Sequence, residues 1–232
     1  MYKGLKIKPP FFEIGPKAFI YGEEMLRLAK VIDKTAMKYD ADIIVTPQYT
    51  DISLLANNTE RIFFFAQHMD PLYPGRGLGS VLPEAVKAAG AVGVMLNHAE
   101  KPLSPEVLEQ TIKRADEVGL GTIVCADTVE DVKNIAKMAP NIIVAEPTEL
   151  IGTGTTSDSS YVTETIKTVK AINPDIMVLQ GAGISNGQDV YNTIKLGAQA
   201  TGTTSGIMKS DHPYEMVEEM IYNLRKAWDE LH

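Results

Sequence analysis

Apolar and polar positions alternate along the chain on two length scales. Short apolar runs such as "ADIIVTP", "RIFFFAQ" and "NIIVA" are separated by longer stretches in which apolar residues recur every three or four positions. Between Gly22 and Lys38, for example, Met25, Leu28 and Ile32 fall on one face of a predicted helix. The pattern therefore predicts short strands, each followed by an amphipathic helix.

Capping signals support one of these helices in particular. In "SPEVLEQTIKRADEVG", Ser104 stands at the N-cap position and Pro105 at the first helical position. Gly119 or Gly121 follows the last apolar position, where glycine commonly ends a helix. We expect this helix to cover about residues 105 to 118.

The whole chain divides into eight strand-then-helix units. The first predicted strand is "YKGLKI", which leads to Lys8, and the last helix is "YEMVEEMIYNLRKAW". The strand runs are apolar throughout, as expected for parallel strands buried on both faces. No Pro/Ser-rich linker interrupts the series. We predict a single α/β domain over residues 1–232, a (β/α)₈ barrel, with a doubly wound open sheet as the alternative.

Composition narrows the partners and the compartment. With 30 acidic and 22 basic residues the net charge is -8, which argues against nucleic acid and against an anionic membrane surface. The N-terminus does not resemble a signal peptide, and no apolar run reaches the ~20 residues of a membrane span. Cys125 is the single cysteine, so no internal disulfide forms. We expect a cytoplasmic protein.

Polar residues follow several of the predicted strands. In a (β/α)₈ barrel the C-terminal strand ends form one mouth, where active sites lie. The residues predicted there are Lys8, Gln67, His68, His98, Cys125, Glu146, Gly181, Gly183, Ser205 and Gly206. We expect their side chains and backbone amides to converge.

This set suits proton abstraction from a carbon beside a carbonyl group. Glu146 is the candidate base, His98 the candidate donor to the carbonyl oxygen, and Lys8 a fixed positive charge. The glycines allow backbone amides to approach an anion such as phosphate. The sequence therefore predicts a small phosphorylated hydroxycarbonyl substrate and no organic cofactor.

Each of these residues also has a plainer interpretation. Glu146 could be a solvated loop residue, although an apolar strand precedes it and a Pro- and Gly-bounded loop follows it. His98 could cap the helix over 105–118, and Lys6 competes with Lys8 as the cation. The four histidines have no H-x-x-x-H spacing and no C-x-x-C pair exists, so we expect no metal site. "GAGIS" does not complete a dinucleotide-binding fingerprint.

Several segments resemble the triosephosphate isomerase family, particularly its shorter archaeal type. "LNHAEKPL" is similar to the family's histidine segment, and "AEPTELIGTG" to its segment of base and flexible loop. "AQHMDP", "LPEAVKAAGAVG" and "GAGIS" are similar too, and all appear in the expected order. The resemblance thus covers nearly the whole chain.

The resemblance implies a TIM barrel with defined residue roles. It implies Glu146 as base and His98 as neutral electrophile, roles for which this family is itself the standard example. It further implies Lys8 as the electrostatic residue and the loop over 147–154 as a lid. The implied substrate and phosphate contacts are Lys6, Ile151, Gly152, Gly181, Gly183, Thr204, Ser205 and Gly206.

Three positions depart from the family pattern. The family's first strand usually ends Asn-x-Lys, whereas Lys6-Ile7-Lys8 places a charge where an amide is expected. Ala99 stands where serine is common, and Leu78 stands where a threonine usually reaches across a dimer. These departures bear on which sugar phosphate is the substrate.

The leading hypothesis is therefore a triosephosphate isomerase acting in glycolysis and gluconeogenesis. The alternatives are an isomerase of another ketose phosphate, such as a tetrulose phosphate, and a barrel that binds a phosphosugar without turnover. A Schiff-base aldolase is disfavoured because no second strand-end lysine is available. The glycine-rich loop from Gly75 to Ser80 corresponds to the family's subunit contact, so a homotetramer or homodimer is expected.

Overall fold

A computed structural model describes residues 1–232, and its eight parallel strands form a closed barrel. The strands pair in chain order, and β8 pairs with β1 to close the sheet. The strands are β1 Phe11–Ile14, β2 Asp42–Val45, β3 Ile62–Ala66, β4 Gly93–Leu96, β5 Gly121–Ala126, β6 Ile142–Ala145, β7 Met177–Gln180 and β8 Ala200–Thr203. The predicted TIM barrel is confirmed, in a single domain, and the open-sheet alternative is wrong because the closed barrel has no free edge.

Helices follow the strands around the outside of the barrel. They are α1 Gly22–Tyr39, α2 Ile52–Ala56, α3 Pro83–Ala88, α4 Pro105–Val118, α5 Val129–Lys137, α6 Ser159–Ile172, α7 Gly187–Lys195, α8 Ser205–Met208 and α9 Pro213–Asp229. The predicted capping of α4 is confirmed, since Ser104 Oγ accepts a hydrogen bond from the Val107 N–H and Gly119 is left-handed at φ 76°. None of the helices combines the length and the apolar character needed to cross a membrane.

The prediction of the first strand is wrong. Residues 1–10 contain no strand, and β1 is the following segment "FFEI". The Lys8 backbone N–H donates to Asp42 Oδ2 at 2.7 Å, and Asp42 is the first residue of β2. Lys8 therefore lies at the N-terminal end of the barrel, opposite the mouth.

The apolar residues of this N-terminal segment close the bottom of the barrel instead. Ile7 belongs to the apolar cluster inside the barrel, and Leu5 packs against it. Leu5 also lies beside Gly121, the first residue of β5, where a Cβ atom would come within 2.9 Å of it. Leu5 and Ile7 alternate with polar residues because one side of this segment is buried against the barrel. The alternation resembles that of a strand, although the segment pairs with no strand.

Side chains of β1 alternate between two cores. Phe12 and Ile14 pack in the large cluster of 44 buried residues that includes the helices, whereas Phe11 packs in the cluster of 10 buried residues inside the barrel. Because successive strand residues point to opposite faces, Glu13 points into the barrel like Phe11. A carboxyl group thus lies within an otherwise apolar interior.

Candidate active site

One cavity of about 690 Å³ opens at the C-terminal ends of the strands. The residues that line this cavity range from Glu13 near the N-terminus to Lys209 near the C-terminus. They include Glu13, Lys17, His98, Glu146, Gly183 and Ser205. The structure therefore brings Glu146 and His98 to one cavity, as expected from the sequence.

Glu146 is held at the rim directly after β6. Its backbone N–H continues the sheet by donating to the Ala126 carbonyl at 2.9 Å. Its Oε1 accepts a hydrogen bond from the Ala182 N–H at 3.1 Å, and Ala182 is itself left-handed at φ 68°. A Cβ atom on Gly181 would lie 3.0 Å from the Glu146 Cβ, so glycine there leaves room for the glutamate.

The surroundings make this carboxylate more basic. Burial raises the pKa of Glu146 above its ordinary value, and Lys17 and the Ala182 hydrogen bond oppose that rise. A carboxylate that is poorly solvated yet still balanced by one cation accepts a proton more readily than an exposed one. These are the properties of a general base.

His98 follows β4 in a loop fixed by its neighbour Asn97. Asn97 is left-handed at φ 59°, and its side chain donates to the Cys125 carbonyl and accepts from the Leu103 N–H, each at 3.0 Å. His98 Nδ1 accepts a hydrogen bond from the Glu100 N–H at 3.0 Å. In the neutral imidazole the proton therefore lies on Nε2, which leaves an N–H free to donate.

The imidazole favours this neutral form. Burial lowers the pKa of His98, the Lys17 charge lowers it further, and Glu100 partly opposes both. At neutral pH the ring is therefore an uncharged hydrogen-bond donor.

Lys17, rather than Lys8, lines the cavity. Its Nζ lies 2.6 Å from Glu100 Oε1, and its backbone is left-handed at φ 49°. The Lys17 carbonyl accepts hydrogen bonds from Gln48 Nε2 at 2.6 Å and Gln67 Nε2 at 2.9 Å, which hold this uncommon conformation. Gln67 therefore positions the lysine.

The placement of Lys8 and Lys6 at the site is a correction that follows from the first strand. Neither residue lines the cavity, because the segment that carries them crosses the opposite end of the barrel. The length of the loop before α1 is a signal in the sequence that points to Lys17. Because α1 begins at Gly22, a strand that ended at Lys8 would need a long connection to it, whereas the strand "FFEI" needs only a short one. With β1 corrected, Gly15-Pro16-Lys17 occupies the family's Asn-x-Lys positions, and the lysine is retained while glycine replaces the asparagine.

The predicted anion-binding residues are nearly all present around the cavity. Those that line it are Ile151, Gly152, Gly181, Gly183, Thr204 and Ser205. The N–H groups of Gly152, Gly183 and Thr204 donate to no protein acceptor. Apart from Lys6, the exception is Gly206, which does not line the cavity and whose N–H donates to Thr203 Oγ1 at 3.2 Å.

Gly183 has two reasons to be glycine. Its φ of 73° is left-handed, and a Cβ atom would lie 1.9 Å from the Thr155 carbonyl oxygen. The segment after the predicted lid thus packs directly against this loop.

Two other predicted strand-end residues take structural places. Cys125 is buried at the edge of the cavity, and burial raises the pKa of its thiol well above the ordinary value, which favours the protonated and less nucleophilic thiol. His68 is buried outside the cavity, with its Nε2 3.3 Å from Asp70 Oδ1. No group of three or more His, Cys, Asp or Glu side chains is arranged to hold a metal ion.

Fold and site together place a carboxylate, a neutral imidazole and an ammonium group at the mouth of a (β/α)₈ barrel, and the class of protein is a barrel isomerase. The family model described as triosephosphate isomerase matches residues 17–220. The chain belongs to the triosephosphate isomerase family.

Curated relatives agree along nearly the full length. A triosephosphate isomerase of Sulfurisphaera tokodaii is 38% identical over 96% of this chain and 99% of its own length. That of Sulfolobus acidocaldarius is 35% identical over 96% of this chain and 98% of its own. That of Methanobacterium bryantii is 38% identical over 86% of this chain and 89% of its own. The family match begins only at Lys17, so β1 lies outside it.

Proposed function

We propose that this isomerase interconverts dihydroxyacetone phosphate and glyceraldehyde 3-phosphate, with Glu146 as the base and His98 as the electrophile. The observation that carries the proposal is that these two residues, from different strands, line one cavity with the pKa of the carboxyl raised and that of the imidazole lowered. This is the combination that proton transfer between adjacent carbons requires. The family is also the standard example of it.

The proposed reaction uses each group at a stated atom. A Glu146 carboxylate oxygen takes a proton from the carbon beside the carbonyl and returns it to the neighbouring carbon. His98 Nε2–H donates a hydrogen bond to the oxygen that becomes negative in the enediolate. Lys17, 2.6 Å from Glu100 and facing the same cavity, offsets the added negative charge in place of the expected Lys8.

The substrate's phosphate group is expected to bind on the side of the mouth formed by the loops after β6, β7 and β8. The unpartnered N–H groups of Gly152, Gly183 and Thr204 supply anion donors there, and Ser205 and Ile151 line the same side. Lys209 also lines the cavity and adds a positive charge that the sequence pattern does not indicate. The loop over 147–154 closes over the bound substrate in this proposal and excludes water.

Replacing Glu146 tests the assignment most directly. We expect Glu146→Gln to lower kcat by about 10³-fold or more with little change in KM, because the base acts in the transition state. The matched control is Glu149→Gln, a change of the same kind at an exposed residue of the same loop. Full activity in Glu146→Gln would exclude this residue as the base.

Proton exchange separates an isomerase from a barrel that only binds. Incubation of the protein with dihydroxyacetone phosphate in deuterated water should place deuterium on carbon in the substrate and product. The Glu146→Gln variant should leave the substrate unlabelled under the same conditions. Binding without any deuterium incorporation would favour the non-catalytic alternative.

A tetrulose phosphate is the second candidate substrate, and one observation favours it. Gly15 stands where the family has asparagine, so the residues that contact the sugar chain differ here. Measuring kcat/KM for triose and tetrulose phosphates side by side decides between them. A Schiff-base aldolase predicts that borohydride traps a covalent adduct at Lys17, and we expect no adduct.

Assembly and compartment remain predictions. The loop from Gly75 to Ser80 is fully exposed, with Leu78 at its tip, as a subunit contact would be in an isolated chain. We propose a homodimer or homotetramer, and a monomer in sedimentation would contradict it. We also propose a cytoplasmic enzyme, on the grounds of its single cysteine and the reaction proposed for it.

A further inference from the structure

The mechanism proposed above does not use a second carboxyl group that faces the same cavity. Glu13 lies within β1, is only 8% exposed, and lines the cavity together with Glu146. A buried acid in a strand is costly unless a partner or a function compensates for it. Its surroundings show which function it serves.

Two glycines make room for this side chain. A Cβ atom on Gly202, the neighbour of Glu13 on β8, would lie 3.0 Å from Glu13 Oε2 and 2.7 Å from its backbone oxygen. A Cβ atom on Gly15 would lie 3.1 Å from Glu13 Oε1 and 3.4 Å from Thr46 Oγ1. Gly15 is the position where the family carries asparagine, so Glu13 and Thr46 border the space that an amide side chain would need.

Only one of the two carboxyl oxygens is used within the protein. Oε1 accepts a hydrogen bond from Thr46 Oγ1 at 2.8 Å. Oε2 has no hydrogen-bond partner, yet it is not among the fully enclosed unpartnered atoms, so it meets the cavity. A nearly buried carboxyl group thus presents one free oxygen to whatever the cavity binds.

We propose that Glu13 is a specificity-determining residue of the proposed reaction, which donates a hydrogen bond from its carboxyl group to an oxygen of the sugar chain in place of the missing asparagine amide. This inference rests on the proposed function and adds to it a substrate contact in β1, the strand that lies outside the family match. The oxygen that Glu13 contacts is a hydroxyl or carbonyl oxygen and not a phosphate oxygen, because the negative charge of a phosphate group would repel a carboxyl group that can ionise.

The charges around Glu13 determine its donor form. Burial raises the pKa of Glu13 to about 7, the Thr46 hydrogen bond lowers it, Glu146 raises it and Lys17 lowers it. Cys125, the other titratable group inside the barrel, stays protonated because the pKa of its thiol is raised. Below pH 7 the carboxyl group is therefore a neutral donor, whereas above pH 7 it becomes an anion that repels the enediolate.

Three variants test the proposal. Glu13→Ala removes the donor, and we expect kcat/KM to fall by about 100-fold. Glu13→Gln keeps a donor that never ionises, so we expect kcat/KM within about threefold of the unchanged protein at pH 6 and no decline between pH 7 and pH 9. Adding Gly15→Asn to Glu13→Ala returns an amide to the vacated space, and we expect at least about tenfold recovery.

The pH profile and the recovery distinguish contact with substrate from a structural role. If Glu13→Ala merely loosens the barrel, its thermal unfolding temperature falls, and adding Gly15→Asn does not restore kcat/KM. The fall of kcat/KM above pH 7 in the unchanged protein would then also be seen in Glu13→Gln. Wild-type kcat/KM in Glu13→Ala would overturn the proposal and leave the isomerase assignment intact, since the unchanged protein still turns over.

A binding measurement tests the role of Glu13 even if the proposed isomerase activity is not found. If the unchanged protein isomerises neither triose nor tetrulose phosphate, the proposed function fails, and Glu13 is judged by its effect on the affinity for 2-phosphoglycolate, whose carboxylate imitates a planar enediolate. A loss of about tenfold or more in Glu13→Ala, with Glu13→Gln unchanged, supports the contact. Equal affinity in all three proteins overturns it.

Discussion

The two carboxyl groups that face the cavity are held in different ways in two parts of the barrel. Glu146 stands at the rim after β6, where the Ala182 N–H donates to it and Lys17 lowers its pKa. Glu13 stands inside β1, below the rim, where its one hydrogen bond comes from the Thr46 hydroxyl. Burial is the largest cause of a raised pKa at both.

The difference lies in the groups that stabilise each negative charge. Lys17 and a backbone N–H are the main groups that lower the pKa of Glu146, whereas at Glu13 the Thr46 hydroxyl lowers the pKa, Glu146 raises it, and Lys17 lowers it by the smallest of these effects. When the two carboxyl groups together bind a single proton, we therefore expect that proton on Glu13 and the negative charge on Glu146. Environments that separate the pKa values of two acids assign their roles, and this family is itself an established case of such tuning.

Removal of Lys17 should have a large effect on both carboxyl groups, because its charge lowers the pKa of each. We expect Lys17→Met to lower kcat/KM by about a thousandfold and to move both limbs of the pH profile upward, since Lys17 lowers the pKa of both acids. Lys8→Met is the matched control at the other end of the barrel, and we expect no change in activity. A larger loss in Lys8→Met than in Lys17→Met would reverse our assignment of the cation.

The same two parts of the barrel differ in how far the sequence predicts them. On the β4 and β6 side, apolar runs end directly at the polar residues, so "NIIVAEP" and "GVMLNH" place Glu146 and His98 correctly at strand ends. The eight-unit repeat likewise predicts the closed barrel. Local pattern suffices where strand and site coincide.

On the β1 side the pattern misleads. "FFEI" carries a charge inside a short strand and follows two prolines, while "YKGLKI" alternates like a strand because Leu5 and Ile7 close the barrel bottom. Whether a glutamate faces a barrel interior depends on its neighbours Gly202 and Thr46, which lie far away in sequence. Such long-range compensation is visible only in three dimensions.

Stability against pH should separate the two acids next. Glu13 binds a proton with a pKa of about 7 when folded and 4.5 as the reference for the unfolded chain, so its contribution is fully present below pH 4.5 and is lost as pH rises through 7. We expect Glu13→Gln to raise the free energy of unfolding by about 3 kcal/mol at pH 8.5 and by little at pH 4.5.

Urea unfolding at the two pH values measures this difference. Glu146→Gln is the comparison, and we expect a smaller gain at pH 8.5, because Lys17 and the Ala182 N–H stabilise the Glu146 charge in the folded protein. Equal gains in the two variants would contradict the asymmetry between the acids.

Loss of the Thr46 hydroxyl should produce the smallest effect and the most selective one. The hydrogen bond from Thr46 to Glu13 Oε1 lowers the pKa of Glu13. Thr46→Val keeps the shape of the side chain and removes this hydrogen bond, so the pKa of Glu13 should rise. We therefore expect the alkaline limb of kcat/KM to move upward by about one pH unit, with less than about threefold change at pH 6. The acidic limb, which belongs to Glu146, should stay in place because Thr46 makes no hydrogen bond to that carboxyl group. If both limbs move together, the two acids titrate as one coupled pair, and separate roles for them are wrong.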